Sequence, residues 1–251
     1  MDAYPDILTI GKLIGDPARA AMLVALLDGR TRPASELAWI AHVSRQAASA
    51  HLSKLEKGGL VEVTSEGRYR YYRLKNAEVG QALETLARIA PPATTRSLRA
   101  SEELTALRFA RICYDHLAGY VGVHLTQAFL ANGWLVDQGQ NYEITEAGHK
   151  GFEDLGIPME KARRTRRAFA YPCRDWSENQ PHLAGAMGAA LFKLLFDRGW
   201  VERTYAHRTV QLTDKGRHEL SEQLGINLDP SDRERDLLSP ENANFRAEDR
   251  S

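Results

Sequence analysis

Across residues 1–92 the spacing of apolar positions changes from helical to alternating and back. From Asp6 to Gly15, Ile7, Leu8, Ile10, Leu13 and Ile14 recur at helical spacing. Asp16-Pro17 opens a second helix, Asp16 as cap and Pro17 at its first position, and ARAAMLVALL carries it to Asp28-Gly29. Pro33 and Ser35 start a third over SELAWIA, with Ser35 the expected cap. Ser44 caps a fourth, RQAASAHLSKLEK, which ends at Gly58-Gly59. One face of this helix is Ala48, Leu52 and Leu55; the other shows Arg45, Gln46, Ser49, Ser53 and Lys54. The period then drops to two. LVEVT and YRYYRL predict a hairpin turning at Ser65-Glu66-Gly67. EVGQALETLARIA is helical again and stops at Pro91-Pro92. This order of elements is a winged helix-turn-helix.

PPATTRS, residues 91–97, has the composition of a linker. A helix is expected from Glu102 to about Ile112. An internal repeat follows. HLAGYVGVHLTQAFLANGWLV and ITEAGHKGFEDLGI return as HLAGAMGAALFKLLFDRGWVE and LTDKGRHELSEQLGI. Gly133-Trp134 matches Gly199-Trp200, Thr145 matches Thr213, and Gly148 matches Gly216. Each copy reads as helix, Gly-Trp, hairpin and short helix, with HLAG as the helix start. The expected fold class is mainly α with small β-hairpin wings (α+β). A winged helix-turn-helix over residues 1–92 precedes a domain over 93–227, built of two tandem winged-helix-like units at about 98–157 and 158–227. Residues 228–251 turn polar, lose periodicity and read as a disordered tail.

Composition narrows the class. Hydrophobic residues are 43% and charged residues 26% of the 251, enough apolar material for a packed core. No apolar run of about 18 residues occurs, and the start MDAYPDILTIGKL lacks the pattern of a signal peptide. Two cysteines are too few for a disulfide framework, so a cytoplasmic protein is expected, with no membrane partner. The net charge is zero, and no segment is strongly basic: Lys and Arg number 12 against 10 acids in residues 1–92, and 12 against 8 in 158–227. Any nucleic-acid surface is therefore a local patch with salt-sensitive binding.

A helix that reads the major groove needs short or hydrogen-bonding side chains on its leading face and an apolar face behind. ASELAWIAHVSRQAASAHLSKLEKGGLVEVTSEGRYRYYRL has both. Over residues 6–90 the chain resembles the ArsR/SmtB family of bacterial repressors, through IGDPARAAML, SELA, VSRQAASAHLSKLEKGGLVE and GRYRYYRL. The resemblance implies that Ser44, Arg45, Gln46, Ser49 and His51 face bases and phosphates, and that Arg68 and Arg70 on the ribbon reach the backbone or minor groove. His51 would serve equally as a packing histidine, and an exposed hairpin with solvated charges would also account for the two arginines. The resemblance further implies a homodimer through residues 6–15 and 77–90, reading a near-palindromic operator in double-stranded DNA. Repression is likewise an implication of the family. Two family metal positions are empty here. Glu36-Leu37-Ala38-Trp39-Ile40 has no thiol, and residues 77–90 have no histidine. A sensor is therefore expected in the C-terminal half.

There, Arg111, Cys113, His116, Cys173, Asp175, Trp176 and His182 are the candidate effector-binding residues. Three chemistries are open. A planar apolar molecule would stack on Trp176 in a crevice between units, oriented by Arg111, His116 or His182. Cys113, His116, Cys173 and His182 would hold zinc or another transition metal, although their spacing matches no standard motif. Two cysteines near helix ends would form a redox pair; two ordinary buried thiols are the plain alternative. Trp134 and Trp200 read as matching core residues. No oxyanion hole, phosphate loop or catalytic signature accompanies the cysteines and histidines, so no enzyme is expected. A purely architectural DNA binder, using Arg163, Arg164, Arg166 and Arg167, is the remaining alternative.

Overall fold

The computed structural model describes residues 5–91, 97–204 and 208–229. Most of the linker and almost all of the expected tail lie outside these residues. The chain forms two compact units, Met1–Pro91 with Cys113–Asp115, and Pro92–Ile112 with His116–Ser251.

The N-terminal unit begins with α1 (Ile7–Ile14) and α2 (Pro17–Ala25), the second capped by Asp16, whose carboxylate accepts the Arg19 N–H. β1 (Arg32–Pro33) and α3 (Ala34–Ile40) follow. Here α3 starts at Ala34 behind Pro33, so Ser35 lies inside the helix and not at its cap. α4 (Arg45–Lys57) is capped by Ser44 Oγ, which accepts the Ala47 N–H, and it buries Ala48, Leu52 and Leu55 as its period requires. β2 (Val61–Glu66) and β3 (Tyr69–Leu74) make the wing, with β1 on the far side of β3. Glu66 pairs with Tyr69, so the strands run further than predicted and the turn is Gly67-Arg68. Gly67 has φ +58°, the conformation that lets the chain turn within two residues. α5 (Ala77–Ile89), capped by Asn76, completes the unit. Leu23, Leu37, Leu52, Leu55, Tyr72 and Leu74 form its core.

The C-terminal unit begins with α6 (Leu98–Phe109). It stops three residues before the predicted end, because Arg111–Cys113 is a strand, β4, paired with β5 (His116–Ala118). α7 (Gly119–Ala131), β6 (Leu135–Asp137), β7 (Tyr142–Ile144) and α8 (Glu146–Asp154) follow. After α9 (Met159–Arg163) comes the same order: β8 (Tyr171–Arg174), β9 (Pro181–Ala184), α10 (Gly185–Asp197), β10 (Val201–Arg203), β11 (Val210–Leu212) and α11 (Asp214–Leu224). HLAG is thus not a helix start alone. His-Leu-Ala is strand, and the glycine turns it into the helix, at φ +79° for Gly119 and +82° for Gly185. A side chain at either glycine would also strike a backbone carbonyl, Arg108 O at 2.6 Å or Ala168 O at 2.7 Å.

Matching residues make matching bonds. Thr145 Oγ1 donates to Gly133 O at 2.6 Å and accepts Gly148 N–H at 2.9 Å; Thr213 Oγ1 donates to Gly199 O at 2.8 Å and accepts Gly216 N–H at 2.9 Å. Trp200 is buried and Trp134 packs on the same core, against Phe129 and Phe152. The two segments interlock: α7 packs on β9 and α10 on β5. Backbone bonds cross as well, from Tyr142 N–H to Ala170 O and from Val210 N–H to Ala110 O. Leu228 is buried in this core, so the packed chain continues beyond residue 227.

Candidate functional site

On α4, Arg45, Gln46 and Ser49 are exposed above the buried stripe. His51 is half-buried and turned to the start of α2, with Nδ1 3.4 Å from Arg19 Nη1 and 3.6 Å from Asp16 Oδ1. On the wing, Arg68 and Arg70 are exposed; Arg68 donates to the Tyr69 hydroxyl at 3.1 Å and Arg70 pairs with Glu56 of α4 at 3.1 Å. Arg70 therefore sits where the wing meets the second half of the reading helix.

The C-terminal candidates converge. Cys113 ends β4 and His116 begins β5, with the turn Tyr114-Asp115 between them; Cys173 of β8 stands opposite His182 of β9. Each hairpin therefore carries one thiol and one imidazole. The ligand atoms of all four residues lie within 4.8 Å of one another. The two Nε2 atoms are 3.2 Å apart. His116 and His182 are 2% and 1% exposed, Cys113 is buried and Cys173 half-buried. Neither cysteine is at a helix end, since both are in strands, which removes the helix-end placement on which the redox reading drew.

Asp175 supports this group from behind. Its Oδ2 lies 3.2 Å from His182 Nδ1 and 2.8 Å from Arg111 Nη2, and it accepts the Gly119 N–H at 2.7 Å. Oδ1 accepts the Ser177 N–H and hydroxyl, both at 2.8 Å. Burial alone would raise the Asp175 pKa. The Arg111 charge and the His182 bond outweigh it and hold the carboxyl well below the usual carboxylate range. Asp175 is therefore a buried anion whose bonds are already made, and it serves the site through His182. Trp176 is also committed: the Arg111 guanidinium sits 4.4 Å from its ring centre, covering one face. That face is closed to the planar ligand expected to stack there. A surface depression at the α8–α9 junction, lined by Gly156, Ile157, Met159 and Arg164, includes none of the candidate effector-binding residues. Arg163, Arg164, Arg166 and Arg167 are exposed around the end of α9.

Residues not singled out in the sequence make the convergence possible. A Cβ on Gly122 would lie 2.5 Å from Leu117 O and 3.6 Å from His182 Cβ; on Gly188 it would lie 2.3 Å from Leu183 O and 3.0 Å from His116 Cβ. Each helix glycine thus lets the helix start lie against the strand carbonyl before it, and Gly188 also makes room for His116. Thr126 Oγ1 accepts the Leu183 N–H at 2.8 Å and ties β9 to α7. The signal was legible as His-x5-Gly in both copies, His116 with Gly122 and His182 with Gly188.

A family model described as a helix-turn-helix domain matches residues 14–64. A Bacillus subtilis (strain 168) protein named uncharacterized HTH-type transcriptional regulator YdfF is 42% identical over 224 residues, 89% of this chain and 99% of its own length. HTH-type transcriptional regulator CmtR of Mycobacterium tuberculosis (strain ATCC 25618 / H37Rv) is 40% identical over 80 residues, 32% of this chain and 67% of its own. Among solved structures, the cadmium metal-sensor CMTR from Mycobacterium tuberculosis is 37% identical at a TM-score of 0.29, covering 36% of this chain and 93% of that one. No helix among the described residues is long and apolar enough to cross a membrane.

Proposed function

Since the chain belongs to the ArsR/SmtB-type helix-turn-helix transcriptional regulators, which bind DNA, we propose that it acts as a dimeric repressor whose operator affinity is set by an effector held in the C-terminal unit. The observation that carries the DNA part is α4. It offers Arg45, Gln46 and Ser49 to solvent from a helix whose other face is locked in the core. Arginine reads guanine and glutamine reads adenine through paired hydrogen bonds in the major groove. Arg68 and Arg70 would meet the backbone beside it. Pairing with Glu56 holds Arg70 in place at the cost of part of its free charge.

Dimerisation through α1 and α5 is supported by apolar residues left in solvent there. Ile7 and Leu8 on α1 and Ile89 on α5 are 62%, 66% and 78% exposed. Such residues mark a surface that a partner covers. A twofold pair of α4 helices would read two half-sites of a near-palindrome.

The matching bonds of the two C-terminal segments support a duplicated, winged-helix-like unit, with an added hairpin at the head of each copy. The effector reading rests on the buried polar group that these hairpins assemble. An effector that prefers the DNA-incompetent geometry lowers operator affinity by its difference in binding free energy, typically about 1–3 kcal/mol.

The test is a shift assay on duplexes that the protein itself selects from random sequence. With Arg45 and Gln46 changed to alanine, sequence-specific binding should fall at least about tenfold, by about 1–3 kcal/mol for each lost base contact. Undiminished binding would mean that another element reads the DNA.

A further inference from the structure

We propose that Cys113, His116, Cys173 and His182 form a closed, four-coordinate site for one divalent transition-metal ion of the zinc class, oriented by Asp175. As regulation, the inference rests on the regulator reading given above; as binding, it stands apart from it.

Three observations carry it. The first is the donor set and its spacing. Zinc bonds of about 2.3 Å to sulfur and about 2.0–2.1 Å to nitrogen place tetrahedral ligand atoms roughly 3.3–3.8 Å apart. The Nε2 atoms are already 3.2 Å apart, and all four ligand atoms fall within 4.8 Å. Small side-chain rotations close such a set. A cation at this place would engage both nitrogens and both sulfurs at once.

The second is charge. Two thiols that bind a divalent ion release their protons to solvent, and two thiolates with two neutral imidazoles leave the centre with no net charge. That suits a place where both histidines are at most 2% exposed and the neighbouring ions, Arg111 and Asp175, already cancel each other. A monovalent ion would leave a buried negative charge. Thiolate with imidazole selects borderline and soft metals over magnesium or calcium. Four protein ligands leave no open position, so the site holds the ion and performs no chemistry on it.

The third is the support behind the ligands. Asp175 Oδ2 stands 3.2 Å from His182 Nδ1, so a proton on Nδ1 is held there and the Nε2 lone pair faces His116 and the sulfurs. Carboxylate-histidine-metal arrangements of this kind fix both the tautomer and the ring plane. Asp175 is itself fixed by Arg111, Ser177 and the Gly119 N–H. It is a positioning residue and not a ligand.

The site also has a mechanical sense. One thiol and one imidazole come from each hairpin, and each hairpin lies against the long helix of the other segment. One ion therefore pins the two interlocked segments together.

The full-length chain, reduced and stripped by chelator, would be titrated with Co2+ and then Zn2+. One equivalent of cobalt should give the strong visible bands of a tetrahedral ion with thiolate-to-cobalt charge transfer. Zinc should displace it, and both cysteines should stop reacting with a thiol reagent. Asp175→Asn should keep the spectrum and bind about 10–100-fold more weakly. Cys173→Ser, at a half-exposed position, should lose about half of the charge-transfer intensity, as expected for one of two thiolates. A pale six-coordinate spectrum, or thiols that stay reactive after one equivalent of zinc, would overturn the site even if no variant folds. So would a disulfide between Cys113 and Cys173 with no metal uptake. DNA binding without the cobalt site refutes this inference alone, and the cobalt site without DNA binding refutes only the regulator reading.

Discussion

The two units place their candidate functional side chains on opposite sides of their own surfaces. In the N-terminal unit Arg45, Gln46, Ser49, Arg68 and Arg70 are exposed on α4 and the wing, and the unit's buried ion pair, Asp28 with Arg32, includes none of them. In the C-terminal unit Arg111, His116, Asp175 and His182 are buried, whereas the arginines around α9 are exposed. An outward array fits a large partner that cannot be enclosed. An inward one fits a small ligand that must be desolvated. The relatives divide in the same way: CmtR matches 80 residues, whereas YdfF matches 89% of the chain and therefore includes much of the second unit.

The contrast can be broken from the inside first. Asp175→Ala strands the Arg111 cation in the core, and removing one partner of a buried pair costs about 3–5 kcal/mol. Urea unfolding followed by tryptophan fluorescence should show this loss in the C-terminal unit, which holds Trp134, Trp176 and Trp200, while DNA binding by the N-terminal unit persists. Gly122→Ala and Gly188→Ala each force a methyl group against a carbonyl and should cost about 1–3 kcal/mol. Similar losses would support equivalent roles in the two segments; a harmless change at one would break the equivalence. The outward array predicts effects of another kind. The Arg45→Ala and Gln46→Ala losses should appear in operator discrimination and leave unfolding within about 0.5 kcal/mol. The smallest effect belongs to Arg163, Arg164, Arg166 and Arg167. Changing all four to alanine should leave the salt dependence of DNA binding unchanged if α4 and the wing supply the phosphate contacts; a flatter slope would restore the architectural reading.

The N-terminal unit was legible because its signals are long. Ser44 caps thirteen residues whose stripe of Ala48, Leu52 and Leu55 admits one helix face, and Asp16-Pro17 fixes the start of α2. The C-terminal unit resisted because its strands are short. β4 and β5 have three residues each and every one is buried, so no alternation marks them, and a helix read through Arg111 and Ile112 looked continuous. That error put Cys113 at the end of a helix, whereas it closes the strand β4. The repeat of HLAG did forecast that His116 and His182 share one place. It hid the equivalence of the cysteines, because six residues, 176–181, are inserted between Asp175 and His182. Asp175 looked like a ligand from composition alone; only its bonds to Arg111, Ser177 and Gly119 give it a supporting role.

One measurement joins the two halves. Operator affinity of the reduced, metal-free chain would be followed by fluorescence anisotropy as zinc is added to one equivalent, beside Cys173→Ser. The expected result is a drop of about 5–150-fold, the usual range of coupling between sites, that is lost in the variant. Equal affinity with and without bound zinc would contradict a C-terminal unit that senses for the N-terminal one.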